Sequence, residues 1–356
     1  MELFQIVGDY GNDFHAGPKA QRDVTAILER EGWKSFVVKR PTFGNGFAGR
    51  IFARLVWAVE CRRLKSKLPG DCAIFMQYPS AAWSESRALR VVTAGAKARK
   101  KFKLIVLVHD LNDFRDGKRR LTTDERALLE MADAVILHNE RMVEAVAGCG
   151  ILREKLIALQ CFDYLTGGDD LQSRERCGAD IPTTVNVAGN LNVERSGWLR
   201  EIGAIPGLRW HLFGPYYDPV KLCSDNFTYG GCRPPEELPR YLTDGFGCVW
   251  YGESASTCTG KIVDYLRFIN PHKLSLYLAA GLPVVVWSES AVADFVVRNK
   301  VGLAVRSLVE LPERIVNMTA EEYAAMAQNA RELGRSVLRG EFTRKAIATA
   351  LRRIDL

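Results

Sequence analysis

One short segment places a histidine and a lysine at the predicted start of a helix. Asn270 and Pro271 stand where a capping residue and a first helical residue are expected, and His272 and Lys273 follow. The first N–H groups of a helix have no partners within it, and the helix dipole makes that end positive. A lysine is unfavourable there without an anion nearby. The segment therefore predicts a phosphate or diphosphate site, against the alternative of a structural helix with an incidental lysine.

A glycine pattern points to a different ligand. Residues Gly44 to Gly49 read GNGFAG and match the G-x-G-x-x-G fingerprint of dinucleotide-binding turns. The pattern follows the second predicted strand rather than the first, residues 40–43 separate it from that strand, and residues 65–69 contain no acid that could hold a ribose. We interpret it as a loop before a helix, and an NAD-dependent enzyme stays an alternative.

The helix predicted from Phe47 to Lys67 has two interpretations. Its apolar face is formed by Ile51, Phe52, Leu55, Val56 and Val59, and its basic residues are Arg50, Arg54, Arg62, Arg63, Lys65 and Lys67. An amphipathic helix of this kind packs its apolar face on a sheet and leaves the basic face to solvent. It can also lie on anionic lipid, and the basic stretch at residues 97–103 keeps that alternative open.

Short apolar runs alternate with amphipathic segments along the chain, and this pattern predicts the fold class. The predicted strands cover residues 3–7, 36–38, 72–77, 104–109, 134–138, 156–161, 184–188, 210–213, 227–229, 246–250 and 283–287. Such alternation is typical of parallel, doubly wound α/β sheets. We expect a first domain at residues 1–165, a linker at 166–183 and a second domain at 184–338. A helix at 339–356 is expected to pack back on the first domain.

Composition narrows the class of protein. The 356 residues are 47% hydrophobic and 26% charged, which suits a globular protein of about two domains. A net charge of +7 favours an anionic ligand but is too small to indicate nucleic acid. The nine cysteines are odd in number and lack C-x-x-C spacing, so we expect neither a zinc site nor disulfides. The sequence shows no secretory signal or membrane span, which predicts a cytoplasmic protein.

The segment after Lys273 carries a resemblance to a known family. It continues as LSLYLAAGLPVVVW and then Ser288-Glu289-Ser290, which resembles the C-terminal half of GT-B glycosyltransferases. Asn-Pro-His-Lys stands near the first glutamate of the usual pair, and Leu276 stands near the second. This variant is similar to the bacterial family of the adhesin glucosyltransferases and β-1,6-galactofuranosyltransferases. Further segments agree in order: GPKA from Gly17, QYP from Gln77, HDL from His109, HNERM from His138, FDYL from Phe162, AGNL from Ala188, EELP from Glu236 and GFGCVW from Gly245.

The resemblance implies a GT-B fold whose second domain binds a UDP-sugar. Lys273 and the helix start at Asn270, Pro271 and His272 would hold the diphosphate. The implied donor-binding residues also include Gly189, Asn190, Arg195 and Tyr251. Tyr251 departs from the family pattern, where an acid is expected, and Arg195 has the alternative of a solvated loop residue. No Asp-x-Asp occurs in the chain, so we expect no metal and no cofactor.

The first domain would then bind the acceptor. Gly17 and Lys19 are the implied acceptor-side residues. An inverting reaction needs a general base on a loop after a strand, and the candidates are Asp110, His15, His109 and Asp13. Asp110 and His15 are preferred, and His138 is expected to be structural.

The implied function is transfer of a hexose to a saccharide, glycoprotein or lipid-linked acceptor in cell-surface glycan synthesis. Glucose, galactose and galactofuranose are the donor sugars considered. The alternatives are an NAD-dependent enzyme, a non-catalytic sugar-nucleotide-binding partner of another transferase, and a UDP-sugar epimerase of GT-B fold. A homo-oligomer and contact with the inner face of the membrane are left open, and no nucleic-acid partner is expected.

Overall fold

The chain forms two parallel β-sheets of six strands each. The structure is a computed structural model that describes residues 2–8, 17–38, 47–79, 93–98, 100–167, 181–260 and 263–355. Both sheets are packed on two faces, so inner strands such as Ala134–Leu137 and Val284–Trp287 are apolar along their whole length. The predicted pair of doubly wound α/β units is confirmed.

The first sheet is built from the first half of the chain in the order β2-β1-β3-β4-β5-β6. Its strands are β1 (Glu2–Gly8), β2 (Lys34–Val38), β3 (Cys72–Tyr78), β4 (Lys103–Val108), β5 (Ala134–Leu137) and β6 (Leu156–Ala158). Its helices are α1 (Lys19–Arg30), α2 (Phe47–Lys67), Asn112–Arg115, Thr123–Met131 and Glu140–Gly148, with a 3₁₀ turn at Arg153–Lys155.

The second sheet has the order β12-β11-β10-β7-β8-β9. Its strands are β7 (Thr184–Ala188), β8 (Arg209–Phe213), β9 (Phe227–Gly231), β10 (Phe246–Val249), β11 (Val284–Trp287) and β12 (Gly302–Val305). The helices of this half are Val263–Leu266, His272–Ala279, Ala293–Arg298, Leu311–Val316, Ala320–Leu338 and Glu341–Arg353, with 3₁₀ turns at Gly197–Arg200, Ile202–Ala204, Leu238–Tyr241 and Leu308–Glu310. The strand order reverses between the neighbouring strands β7 and β10. Ligands of doubly wound sheets bind at such a point.

The helix Glu341–Arg353, called the closing helix below, returns to the first half of the chain. Its apolar residues Ala346, Ile347 and Ala350 pack into the same core as Val24 and Leu28 of α1. The chain turns into it at Gly340, whose φ of +75° is left-handed and where a Cβ would lie 2.7 Å from Ile27. The helix is therefore part of the core of the first half. Burial of an isoleucine such as Ile347 contributes about 1.5–3 kcal/mol to the free energy of unfolding.

Helix α2 packs by a different face from the one its apolar pattern indicated. Leu64 and Leu68 are buried, whereas Ile51, Leu55 and Val59 are 44%, 59% and 59% exposed. The prediction that the aliphatic stripe packs on the sheet is therefore wrong for these three residues. The first glycines of the Gly44–Gly49 motif lie outside the described residues, as does most of the predicted linker at 166–183. In the part of the chain that the structure describes, no helix is long and apolar enough to cross a membrane.

Candidate active site

Lys273 lies in the first turn of the helix His272–Ala279, called the cavity helix below. Pro271 precedes this helix with an extended ψ of 131°, and Gly281 ends it with a left-handed φ of +70°. Leu274 and Leu278 bury the helix against the second sheet. The first turn is thereby fixed, and the Lys273 ammonium lies 4.5 Å from the ring centroid of Tyr251.

The charge of Lys273 is not balanced by a carboxylate. Burial lowers the pKa of its ammonium, and the groups that oppose this effect are the thiols of Cys248 and Cys258. No acid among the described residues forms an ion pair with it. A desolvated cation at the positive end of a helix is costly without an anion. The arrangement is therefore suited to a negatively charged ligand.

Two glycines bring the backbone close to this lysine. Gly189 follows β7 with a φ of +132°, and a Cβ there would lie 3.0 Å from Cε of Lys273. Gly214 follows β8 with a φ of +141°, and a Cβ there would lie 1.8 Å from the carbonyl oxygen of Gly189. Only glycine fits this crossing, because the clash is with backbone rather than with a flexible side chain. The floor of the site is therefore bare main chain at the carboxyl ends of two adjacent strands.

These elements enclose a cavity of about 830 Å³. Its lining includes Tyr164, Gly189, Asn190, Phe213, Gly214, Pro215, Tyr216, Cys232, Arg233, Leu238, Tyr251, His272 and Lys273. The volume lies within the range of about 300–1,000 Å³ that is usual for small-molecule sites. A mostly apolar and aromatic wall with two cationic side chains, Arg233 and Lys273, fits a ligand that combines a ring with negative charge.

Three histidines surround the ring of Phe162 beside the cavity. His109 stacks on it with ring centroids 5.3 Å apart, and His138 and His272 meet it edge-on at 4.9 and 6.2 Å. His272 also stacks on Tyr164, and its Nε2–H donates to the carbonyl oxygen of Asp163 at 3.1 Å. Burial lowers the pKa of His109 to about 3 and those of His138 and His272 to about 4. All three rings are therefore neutral near pH 7.

The tautomer of His109 follows from its neighbour Gln77. The Gln77 amide nitrogen donates to the carbonyl oxygen of Gln21 and to the hydroxyl of Thr25, so its oxygen faces His109. That oxygen lies 2.7 Å from Nε2 of His109, which must therefore carry the proton. The lone pair of the ring is left on Nδ1.

Asp110 lies at the seam between the two halves. Its Oδ1 accepts a hydrogen bond of 3.0 Å from the hydroxyl of Tyr265, which belongs to the second half. The same hydroxyl accepts from the backbone N–H of Leu111. Burial raises the pKa of the Asp110 carboxyl, and the Tyr265 hydrogen bond opposes this shift. A carboxylate of raised pKa is a better proton acceptor near neutral pH than an exposed one.

Asn270 joins the halves instead of capping the cavity helix. Its amide nitrogen donates to the carbonyl oxygens of His138 and Gln160, and its oxygen accepts from Asn139 at 2.7 Å. Its backbone N–H donates to Nδ1 of His138 at 2.9 Å. The sequence-based expectation of a helix cap at Asn270 is wrong, because these partners occupy its side chain. They also make His138 a structural residue.

Two family models cover nearly the whole chain. The N-terminal domain model of the glucosyltransferase 3-like proteins matches residues 5–161, and the C-terminal domain model matches residues 185–350. The chain belongs to the glucosyltransferase 3-like family. It is a glycosyltransferase, as the sequence resemblance indicated.

Named relatives of this glucosyltransferase 3-like chain are bacterial. The β-1,6-galactofuranosyltransferase WbbI of Escherichia coli is 32% identical over 334 residues, which is 93% of each chain. Glucosyltransferase 3 of Streptococcus gordonii is 26% identical over 259 residues, which is 70% of this chain and 71% of the relative.

Solved structures of similar fold are GT-B enzymes. Sucrose-phosphate synthase of Thermosynechococcus elongatus aligns over 99% of both chains with a TM-score of 0.65 and 16% identity. HepE of Anabaena, solved in complex with UDP, aligns over 98% of this chain and 100% of that one with a TM-score of 0.61 and 15% identity. At these identities the likeness shows the fold, and the predicted GT-B architecture of this glucosyltransferase 3-like chain is confirmed.

The structure brings together part of the predicted donor site of this glucosyltransferase 3-like chain. Gly189, Asn190, Tyr251, His272 and Lys273 all line the cavity. Arg195 is not among the described residues that line the cavity, and its side chain is exposed on the loop after β7. Pro271 shapes the entry to the cavity helix without lining the cavity.

The predicted acceptor-side and catalytic residues have a mixed outcome. Lys19 is 1% exposed, forms an ion pair with Asp23 and donates to the carbonyl oxygen of Leu165 at 2.6 Å. This corrects the expectation of an acceptor contact, because the whole ammonium is used inside the protein. Gly17 is exposed just before α1. His15 and Asp13 lie outside the described residues, so their candidate roles stay predictions.

Sequence reasoning missed several residues of the cavity. Gly214 follows strand β8 as Gly189 follows β7, so the repeated strand-then-glycine pattern was a usable signal. Tyr164 and Arg233 also line the cavity but carry no local pattern that assigns them a role. Among the described residues, no group of three His, Cys, Asp or Glu side chains is placed to hold a metal ion.

Proposed function

We propose that this glycosyltransferase transfers a hexose from a UDP-sugar to a saccharide acceptor without a metal ion. The observation that carries the proposal is the half-buried Lys273 side chain, which faces a nucleotide-sized cavity and has no carboxylate partner among the described residues. A diphosphate supplies the missing negative charge. HepE, which shares the fold, is solved in complex with UDP, and this supports the same donor nucleotide.

The donor diphosphate is proposed to lie on the first turn of the cavity helix. Lys273 then offsets the charge that develops on UDP as the sugar bond breaks, which is the task a metal performs in other transferases. The bare backbone at Gly189 and Gly214 leaves room for the phosphates to approach the main chain. The aromatic wall at Tyr216 and the guanidinium of Arg233 are suited to the nucleoside end.

Galactofuranose is the donor sugar we propose to test first. The relative named β-1,6-galactofuranosyltransferase is 32% identical over 93% of this chain, whereas a relative named glucosyltransferase 3 is 26% identical over 70%. UDP-glucose and UDP-galactopyranose are the comparison donors. UDP release with a panel of saccharide acceptors measures transfer, and addition of EDTA should leave the rate unchanged.

Removal of the Lys273 charge tests the donor site. Lys273→Met keeps the alkyl stem on Tyr251 but removes the ammonium, and we expect UDP affinity to fall about 10–100-fold, corresponding to about 1.4–3 kcal/mol. Isothermal titration calorimetry with UDP measures the change. Melting temperature serves as the folding control. It should stay at least as high as in the wild type, because the substitution removes a desolvated cation. Unchanged UDP affinity in both Lys273→Met and Lys273→Ala would refute the phosphate role.

Asp110 is proposed as the base that takes the proton of the acceptor hydroxyl. Asp110→Asn keeps the hydrogen bond from Tyr265 but cannot accept a proton, so we expect turnover to fall about 10²–10⁴-fold with UDP affinity unchanged. UDP release and calorimetry on the same preparation separate the two effects. Turnover close to that of the wild type would exclude this role. A wild-type protein that binds UDP but releases none from any donor would instead favour a non-catalytic binding partner.

A further inference from the structure

Helix α2 exposes a row of aliphatic side chains on the face opposite its packing face. Ile51, Leu55 and Val59 recur every four residues and are 44%, 59% and 59% exposed. Leu64 and Leu68, at 5% and 0% exposure, lie about 180° away around the helix and bury it on the first half. The helix thus already has a packed side, and the aliphatic stripe faces away from the core.

The same helix has a high net positive charge for its length. Between Phe47 and Lys67 there are six basic residues and one glutamate, a formal charge of +5 within a chain of net +7. Arg62 is exposed and continues the line of the aliphatic stripe toward the end of the helix. Beside that end, the ammonium of Lys100 donates to the carbonyl oxygen of Ser66 at 3.1 Å, and Lys101 is exposed.

We propose that α2 docks on the surface of a bilayer that contains anionic lipid. The stripe of Ile51, Leu55 and Val59 would enter the head-group boundary, and the basic end at Arg62 would bind lipid phosphates. A second copy of the chain is a poorer occupant, because a two-fold contact through this face would set two helices of charge +5 against each other. The opposite charge of an anionic membrane fits both the apolar and the basic parts.

Vesicle binding by the full chain tests this docking surface. We expect co-sedimentation with phosphatidylcholine vesicles that contain phosphatidylglycerol, weak or no binding to pure phosphatidylcholine, and loss of binding at high salt. Leu55→Glu with Val59→Glu should abolish binding. Arg62→Glu should weaken it by about tenfold or more, because it reverses one charge at the surface.

Val297 offers a matched control in the second half. It is 59% exposed, like Val59, and lies on the helix Ala293–Arg298. Val297→Glu adds the same charge at the same exposure and should leave vesicle binding unchanged. UDP affinity and melting temperature verify that every variant is folded.

Three outcomes would overturn the proposal. One is absence of the wild type from anionic vesicle pellets at low salt. Another is a loss of binding in Val297→Glu as large as that in the Leu55→Glu, Val59→Glu variant, which would show a general charge effect. The third is a lower oligomer mass by light scattering in the stripe variant with vesicle binding unchanged, which would assign the face to contact between copies. Vesicle binding needs no sugar donor, so its failure is distinct from failure of the proposed transfer reaction.

Discussion

Tyr265 is the residue through which the second half of the chain holds the candidate base of the first. Its hydroxyl donates to Asp110 and accepts from the backbone N–H of Leu111. Tyr265 is 1% exposed, and its contact with Leu111 is buried while its contact with Asp110 is half-buried. Position and acidity of the carboxyl thus depend on a side chain that lies 155 residues away along the chain.

Loss of this hydroxyl should change both stability and acidity. Tyr265→Phe leaves the Leu111 N–H without a partner, which costs about 1–3 kcal/mol of unfolding free energy. It also removes a hydrogen bond that lowers the pKa of Asp110, so the acidic limb of the turnover–pH profile should move to higher pH. The control Tyr217→Phe removes a hydroxyl that donates to the Leu222 carbonyl in the second half and should not move the profile. An unshifted profile in Tyr265→Phe would contradict the link.

The sequence predicts the role of a residue when local features determine that role, and fails when contacts with distant residues determine it. Lys273 could be found from the sequence because a proline before a helix and a lysine in the first turn of that helix are local features. The role of Tyr265 and the tautomer of His109 depend on contacts across 155 and 32 residues, which no local pattern records. Asn270 looked like a helix cap by its neighbours, yet partners from the other half occupy its side chain.

Among the structural elements, the two turns after β7 and β8 determine the shape of the cavity floor. Gly189 and Gly214 cross so closely that a side chain on Gly214 would meet the carbonyl oxygen of Gly189. Two backbone hydrogen bonds stabilise the crossing. The N–H of Gly189 donates to the carbonyl oxygen of Phe213, and the N–H of Gly214 donates to the carbonyl oxygen of Gly231. Backbone of two strands, rather than side chains, therefore forms this wall.

A methyl group at the crossing should be far more damaging than at an open glycine. Gly214→Ala places Cβ 1.8 Å from a backbone oxygen, whereas Gly207→Ala, at a φ of +73°, meets nothing within 4 Å. We expect Gly207→Ala to cost about 1–2 kcal/mol from backbone strain alone. Gly214→Ala should cost at least about 2 kcal/mol more and weaken UDP binding. Urea unfolding and calorimetry measure the two effects, and equal costs would contradict the close crossing.

Strands were easier to predict than the orientation of helices. A fully buried strand such as β11 is a continuous apolar run, which marks it in the sequence. Helix α2 has apolar residues on both sides, and periodicity does not say which side meets the sheet. Leu64 and Leu68 took the packed position, and Leu55 and Val59 were left outside.

On the scale of the whole molecule, neutral histidines lie at the seam between the halves. His109 and His138 come from the first half and His272 from the second, and all three contact Phe162. Their pKa values of about 3 to 4 lie below the 6.5 of an unburied histidine. The unfolded chain therefore binds protons in this pH window that the folded protein does not.

These three histidines should therefore contribute a loss of stability as pH is lowered through 6.5. Each such histidine contributes a loss of about 1.4 kcal/mol per pH unit below its unfolded value. Carboxyls with raised pKa act in the opposite sense: the pKa of Asp163 is about 7, that of Asp23 is about 6, and that of Asp110 is also raised, so these groups offset much of the histidine contribution. Between about pH 6.5 and about pH 5, the pH slope of stability of His109→Gln should differ from that of the wild type by one proton, so that acidification destabilises the variant less. Urea unfolding across this range measures both slopes, and identical slopes would show that His109 is not buried as a neutral ring.

The return of the closing helix to the first half has a consequence for synthesis on the ribosome. One face of the first sheet, with Phe75 and Ile105, shares its core with Ile347 and Ile354. The first half can therefore form its strands early, but α1 covers this face only in part until residues beyond Gly340 have emerged. During translation of the entire second half, an apolar surface of the nascent chain stays open to chaperones. Folding of the two halves is thus completed together, although each has its own sheet.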